Sequence, residues 1–331
     1  MKKICRMLLL VSLGITLIAG CSKHLSDSRS GKNHLTLAAA GIGGTYYSMG
    51  GAISSLINQT MNDINIDVQT SGGSAQNIRL IQSGEADMAW ANGSEIYWAR
   101  NAQKFFKDQK LDKFRIAAFG WHNTYHFAAL ENSKISNAND FEGKKVGIGP
   151  QGSGAAIFGE VYLKHIGMWE KISPRFLPPN DQLTALKDRN LDVFGYFSGL
   201  PMAALNEMGA AHDIKILDIA WNDEATGFTE KFPFYNVGVI PAHTYKGQRK
   251  AIKAYENYTY LIVKADMPQE VLYRLLRTIY SEEGQKYLNG VHQASKHLTV
   301  KNALKGIHEL GADMHPGAVE FFKEQGLSID E

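Results

Sequence analysis

The feature that most restricts this chain is a repeated order of segments: a short apolar strand, a turn of glycine and small hydroxyl residues, then a helix. Residues 34–40 (HLTLAAA) run into Gly41-Ile42-Gly43-Gly44, and Thr45 is placed to cap a helix whose apolar residues Met49, Ile53, Leu56 and Ile57 recur at helical spacing. Residues 64–70 (INIDVQT) alternate as a strand does, and Ser71-Gly72-Gly73-Ser74 then leads to a helix through Asn77, Ile78 and Ile81 that stops near Gly84. Residues 87–92 (DMAWAN) give the next strand, with a helix predicted over 95–106. Further along, 115–120 and 126–130 read as two strands, and 141–149 as a turn and a strand. Gln151-Gly152-Ser153-Gly154 opens a helix through Ile157, Val161 and Leu163, and 191–197 (LDVFGYF) is a strand before Ser198-Gly199-Leu200-Pro201. A long helix is predicted over 269–289, with Val271, Leu272, Leu275, Leu276 and Ile279 on one face. Strands alternating with helices imply parallel sheets covered on both faces, a doubly wound α/β fold.

Three of the turns, GIGGT, SGGS and GSG, share a chemical property. Each places small residues where a strand ends and a helix begins, so unpaired backbone N–H groups and the positive end of the helix dipole point out of it. Glycine lets a ligand approach the backbone, and Thr45, Ser71, Ser74 and Ser153 add hydroxyl donors. One such turn is read as a well-capped junction. Three of them, with the Ser198-Gly199 corner, predict a shared site for a small organic anion at the carboxyl ends of the strands.

The first residues address the compartment. Lys2, Lys3 and Arg6 precede an apolar run from Met7 to Ala19, as in a signal peptide, and that run is short of the roughly 20 residues that span a bilayer. Ile18-Ala19-Gly20-Cys21 resembles the lipobox of bacterial lipoproteins, which makes residues 1–20 the leader and Cys21 the lipidated residue. Residues 21–33 are expected to act as lipid anchor and flexible tether, since 22–32 (SKHLSDSRSGK) is almost without apolar side chains. The expected location is the cell envelope, outside the cytoplasm and tied to a membrane. Cys5, in the leader, is the second of two cysteines, so the domain carries no disulfide and no thiolate metal site.

About 300 residues of ordinary globular composition, 44% apolar and 21% charged, favour two lobes over one core. The net charge of +2 says nothing about partners, and in the absence of a basic stripe no nucleic-acid partner is expected. Neither cofactor nor metal is expected. Gly147-Ile148-Gly149-Pro150-Gln151-Gly152 matches a dinucleotide fingerprint, but 173–181 (SPRFLPPND) offers no acidic residue before Asp181, which argues against an envelope oxidoreductase. His122 and His126 are four apart without a third ligand, and read as polar or core histidines. There is no Gly-x-Ser-x-Gly elbow. Asp223-Glu224 reads as solvated surface, and His315-Pro316 as the cap of the last helix. No catalytic residue is assigned.

The ordered motifs Gly43-Gly44-Thr45-Tyr46-Tyr47, Thr70-Ser71-Gly72-Gly73-Ser74 with Asn77, Ser83-Gly84-Glu85-Ala86-Asp87, Phe141-Glu142-Gly143-Lys144-Lys145-Val146, Gly152-Ser153-Gly154 and His315-Pro316-Gly317-Ala318 resemble the TAXI receptors, the solute-binding subunits of one branch of TRAP transporters. The resemblance spans residues 34–326. It implies a two-lobed α/β fold of the periplasmic-binding-protein type (type II), with a ligand cleft between lobes. The lobes are expected at 34–125 plus 258–331 and at 126–257, the chain crossing near His126 and returning near Tyr258. The implied function is capture of a carboxylate, with glutamate as the first guess, for TRAP-type integral membrane subunits; the alternative is a lipoprotein serving an ATP-driven importer. By position, the implied contacts are Gly44, Thr45, Tyr46 or Tyr47 in the first turn, and Ser71, Gly73, Ser74 and Asn77 in the second. Gln151, Ser153 and Gly154 come from the third, Asn92 from the end of the third strand and Ser198 from the corner. Tyr46, Tyr47, Trp90, Tyr196 and Phe197 are candidates to cover an apolar part of the solute. Ala155 stands where the family often has threonine, and ANGSE (91–95) where it often has an aspartate.

Overall fold

The computed structural model describes residues 33–107 and 109–329. The leader, Cys21 and the tether up to Lys32 lie outside the described residues. The chain opens with three strand–helix pairs, β1 (Asn33–Ala38), α1 (Thr45–Thr60), β2 (Ile64–Gln69), α2 (Ser74–Ser83), β3 (Met88–Asn92) and α3 (Gly93–Arg100). After the long strand β4 (Phe114–Leu130) come β5 (Lys145–Gly147), α4 (Gly154–His165), β6 (Ser173–Arg175), α5 (Pro179–Lys187), β7 (Phe194–Ser198), α6 (Ala203–Ala211) and β8 (Ile214–Ile216). Two single turns, α7 (Asp223–Thr226) and α8 (Phe228–Lys231), precede β9 (Asn236–Ile240) and a second long strand, β10 (Ile252–Lys264). The chain closes with α9 (Gln269–Ile279), α10 (Glu282–Val291) and α11 (Pro316–Glu324).

The main sheet runs β2-β1-β3-β10-β4-β7, with β8 added to β4 and β9 to β10. β1 is parallel to β2 and β3, as the alternation predicts, and β5 is parallel to β6. β10 is antiparallel to both β3 and β4, so the sheet is mixed. The two long strands serve both ends of the molecule: β4 pairs β10 from Phe114 to Thr124, then β7 and β8 from Thr124 to Leu130.

The core follows this layering. On one face of the first strands, α1, α9, α10 and α11 bury Met49, Ile53, Leu272, Leu276 and Phe322 with Trp90 and Trp121. On the other, α2 and α3 bury Ile78 and Ile96 in a cluster that continues through Tyr125 and Phe127 to Phe158 on α4 and Leu183 on α5. Trp90 is therefore a core residue.

Three predicted elements differ in a way that has a physical cause. The two strands expected at 115–120 and 126–130 are one, β4, because the polar run between them (WHNTY) keeps its ladder with β10 through Asn123↔Asn257 and Thr124↔Glu256. The helix predicted over 95–106 begins at Gly93 and ends at Arg100, where Ala102 and Lys104 both take φ of 50°. The helix expected over 269–289 is two, α9 and α10. Ser281 caps α10, its hydroxyl accepting from the Gly284 N–H at 3.0 Å, and a Cβ at Gly284 would stand 2.2 Å from the Thr278 carbonyl oxygen. The chain turns there because only glycine fits. His315 caps α11 as predicted, accepting from the Gly317 N–H at 3.1 Å, with Pro316 in the first turn.

Replacing the cap, Ser281→Ala, is expected to cost about 1 kcal/mol and to lower Tm by about 2 °C for a domain of this size. Differential scanning calorimetry with an unchanged far-ultraviolet spectrum checks it.

Candidate ligand-binding site

The first turns of α1, α2 and α4 meet at one cavity, lined by Gly44, Thr45, Gly73, Ser74, Ser153 and Gly154. The turns are built for close approach. Gly73 holds φ of 105°, and a Cβ on Gly154 would fall 2.6 Å from Asn92 Nδ2. Thr45, expected as a cap, is the first helical residue behind Gly44. Its hydroxyl pairs with Ser198 Oγ at 2.8 Å and accepts from the Gly199 N–H at 3.0 Å, joining α1 to the corner after β7. Ser153 is a true cap, accepting from the Ala156 N–H at 3.0 Å. The N–H groups of a helix's first turn have no partner within the helix, so three such sets face the same small volume.

The rest of the wall comes from Ala40, Ala155, Tyr46, Asn92, Asn123, Tyr196 and Phe197. Tyr46 donates to Asn92 Oδ1 at 2.7 Å, and Asn123 donates to the same oxygen at 2.8 Å. Ser74 Oγ accepts from the Asn92 N–H at 3.1 Å. The cavity is narrow, with about 20 Å³ wide enough for a water, room for about one. Thr45, Ser74, Asn92, Asn123 and Ser153 are all buried.

Of the residues singled out from sequence, Gly44, Thr45, Tyr46, Gly73, Ser74, Asn92, Ser153 and Gly154 line the cavity, and Ser198 stands behind Thr45. Ser71 and Asn77 are brought to the framework instead. Asn77 Nδ2 donates to the carbonyls of Ala39 at 2.6 Å and Trp90 at 2.7 Å, and Ser71 bonds Asn77 Oδ1 at 2.5 Å. Tyr47 packs half-buried against the α1 core, and Gln151 is exposed beside the turn. Asp223 is not the solvated surface group expected: it accepts from Tyr255 Oη at 2.9 Å and from the Thr229 hydroxyl. His122 and His126 have separate partners. His122 Nδ1 pairs with Glu256 at 2.9 Å, while His126 Nε2 lies 2.7 Å from Tyr245 Oη.

Sequence patterns overlooked Asn123 and Glu95. Asn123 hid in a polar run taken for a loop, and the signal was there: polar residues inside an apolar strand. Glu95, in the first turn of α3, sits fully buried behind Gly154, its Oε2 3.3 Å from where that residue's Cβ would be.

The sequence matches the NMT1-like family over residues 37–326. The chain belongs to that family. Among solved structures, it is similar to one described as a periplasmic transporter (TM-score 0.54, 13% identity, 90% of this chain and 93% of that one). It is also similar to a protein of Bordetella bronchiseptica RB50 (TM-score 0.50, 14% identity, 88% and 82%). A looser likeness is to the periplasmic aliphatic sulphonate binding protein SsuA of Escherichia coli (TM-score 0.46, 12% identity, 88% and 83%). At such identities the likeness concerns the fold, which is the two-lobed α/β fold of periplasmic binding proteins expected from sequence. The match names the NMT1-like family and not the TAXI receptors.

In this NMT1-like chain a buried acid, Glu95, stands beside the cavity wall. Burial raises its carboxyl from the ordinary range to about 7, opposed by the Ser94 hydroxyl, which donates to Oε2 at 3.0 Å, by its own backbone N–H and by the Asn92 side chain. Among the described residues no Lys, Arg or His pairs with it. Tyr46 and Tyr235, both near Glu95, are pushed far above the usual phenol range by burial, so both stay neutral.

A carboxyl whose pKa is higher folded than unfolded favours the protonated fold. Its contribution is therefore complete at acid pH and is lost as pH rises from about 4.5 through about 7. A shift of that size is on the order of 3 kcal/mol. Glu95→Gln, which cannot ionise, is expected to close that loss: its Tm relative to wild type rises by several degrees between pH 4.5 and pH 7.5. Thermal scans of both proteins across that range test it, and parallel curves would contradict the assignment.

Proposed function

We propose that the chain is an extracytoplasmic receptor, not an enzyme, that captures a small organic solute between two lobes and delivers it to the membrane subunits of an importer. The observation that carries this reading is the convergence of three helix N-termini, from early and middle parts of the chain, on one cavity. That arrangement binds through N–H and hydroxyl donors and holds no group set for bond-breaking chemistry. Membership of the NMT1-like family and the periplasmic-binding-protein fold support it.

The lobes are proposed at 34–125 plus 258–331 and at 126–257, with β4 and β10 as the crossing strands. The β4–β10 ladder shifts register between Tyr258 and Tyr260, close to both crossing points, which is where bending is cheapest. The Thr45 bonds to Ser198 and Gly199 join the two lobes and hold them closed. We assign ligand contact to the cavity-lining set, with Tyr196 and Phe197 against the apolar part of the solute.

For the membrane complex, an ATP-driven importer is the first reading taken, the family match naming the NMT1-like family and not the TAXI receptors. The run of motifs from GGTYY to HPGA favours TRAP-type subunits as the second. Lipidation of Cys21 anchors the receptor in either case.

Three experiments test it. Thermal unfolding against a broad panel of carboxylates, amino acids, sulfonates and nucleotides is expected to show stabilisation by one small-molecule class, since a solute that binds only the fold raises Tm by mass action. A shift with nucleotides alone would overturn the receptor reading. Uptake by vesicles carrying the neighbouring membrane subunits then separates ATP from an ion gradient as the driver. Cys21→Ser is expected to move the protein from the membrane to the soluble fraction, read by fractionation and immunoblot.

A further inference from the structure

The end of the fold away from the cavity carries an unbalanced charge. Helix α2 starts at the cavity and ends at Ser83, where Gln82 Oε1 accepts from the backbone N–H groups of Asp112 and Lys113, both at 3.1 Å. That contact places the segment between α3 and β4 at the edge of the sheet where β1 begins. Backbone bonds run along the same edge: the N–H groups of Asp87, Lys264 and Ala265 donate in turn to the carbonyls of Thr36, Asp87 and Lys113. In this segment Lys104, Lys107, Lys110 and Lys113 stand three apart and are all exposed, while Phe106, Leu111 and Phe114 between them are buried. Among the described residues no ion pair joins any of the four lysines. Asp63 and Asp87 on the edge are already taken, by Arg274 at 2.8 Å and by Lys264 at 2.7 Å. Asp108, outside the described residues, and Asp112 interrupt the lysines in sequence, and Asp266 shares a groove with Lys113. The surplus therefore lies toward Lys104, Lys107 and Lys110.

The same turn presents one aromatic ring outward. Lys104 takes φ of 50°, and Phe106 packs inside, its ring 4.7 Å from the Arg79 guanidinium. Arg79 Nη2 also donates to the Phe105 carbonyl at 2.6 Å, which leaves the Phe105 ring 40% exposed among the lysines. β1 begins on this edge, the Asn33 N–H bonded to the Asp63 carbonyl at 2.8 Å. Residues 22–32 lead back from there to Cys21, a reach of at most about 40 Å.

We propose that this edge is a docking surface for an anionic phospholipid bilayer, with the four lysines on the headgroups and Phe105 at their level, so that the domain rests on its membrane with the cavity turned away. The proposal rests on the anchoring of Cys21 and goes beyond it. A domain held within that reach needs only a weak contact to settle, because its effective concentration at the bilayer is high. Each lysine close to an anionic surface favours the docked state by about fivefold. The attraction fades beyond the Debye length, about 8 Å at physiological salt, and an exposed aromatic ring prefers the interface to water. The opposite end, where α1 and α2 begin, stays open to solute.

The test uses the mature lipidated chain with Gln109→Cys, an exposed position within the patch that is neither lysine nor Phe105, labelled with an environment-sensitive dye and returned to vesicles. Cys5 leaves with the leader and Cys21 is acylated, so no other thiol competes. On vesicles rich in phosphatidylglycerol the dye emission is expected to shift to the blue. On neutral phosphatidylcholine vesicles, and on the anionic ones in about 0.5 M salt, it is expected to stay that of the dye in water. The same dye at Glu131, exposed just past the far end of β4, should not shift on either. Lys107→Gln combined with Lys110→Gln is expected to lower the docked-to-free ratio by about 25-fold, fivefold for each lysine. A shift of equal size on neutral and anionic vesicles, or none on either while the chain floats with both, would overturn the docking surface and leave the anchor standing. Dye taken up by the parent chain, which has no introduced cysteine, overturns the anchor instead. Docking is then read from flotation of the parent and the double variant with anionic vesicles, and equal flotation overturns it.

Discussion

The side-chain oxygen of Asn92 accepts from Tyr46 on α1 and from Asn123 on β4, and the site depends on this pair of bonds. Asn92 is the last residue of β3, at the carboxyl edge of the parallel strands, where α1 and α2 begin. Its backbone N–H donates to Ser74 at the start of α2. One residue thus fixes two helix termini and the middle of the crossing strand. Because the group is buried, its bonds are shielded from water, and losing any one leaves a polar atom stranded. The spacing between the helix turns is set by this polar node. The apolar core fixes the layers behind it.

Behind the node a second polar framework holds the sheet edge. Asn77 ties the carbonyls of Ala38, Ala39 and Trp90 together, which keeps the ends of β1 and β3 side by side. This explains why Ser71 and Asn77, although in a turn that faces the ligand region, turn inward. A tight strand-to-helix junction frees more carbonyls than the sheet can pair, and a short amide side chain is the simplest donor for them. The hydroxyls and amides of such a motif divide between scaffold and site, and the division depends on which way each side chain points from the turn.

That division is also where reading the sequence stopped. Strand–turn–helix order, the helix stop at Gly84, and the turns at Gly44, Gly73 and Gly154 were legible because each rests on local chemistry: periodicity, caps and small residues. Eight of the proposed contacts reach the cavity for that reason. Tyr47 does not, since the 100° step along α1 carries it to the half-exposed side of the helix while Tyr46 faces Asn92. Asn123 and Glu95 were not legible. Their meaning depends on β10 lying between β3 and β4 and on α4 arriving from a distant part of the chain, and neither placement leaves a local mark. The run WHNTY fell between two predicted strands because polar residues are rare in central strands; here Asn92 and Glu256 accept from Asn123 and Thr124. The anion-friendly turns were visible one by one, whereas Glu95 gained its place beside Gly154 only from the fold.

The carboxyl of Glu95 gives the fold a property that packing alone would not. Near neutral pH the folded chain either buries a charge with no basic partner among the described residues or holds a proton, and burial makes protonation the cheaper choice, which is why the carboxyl is raised to about 7. The Ser94 hydroxyl works in the other direction, since a hydrogen bond to the charged form favours it. The Thr45–Ser198 bond is neutral and worth about 1 kcal/mol, so it contributes alike across that pH range. The pH dependence of the fold therefore traces to one acid that stands beside the helix turns lining the cavity, and not to an ion pair at the surface.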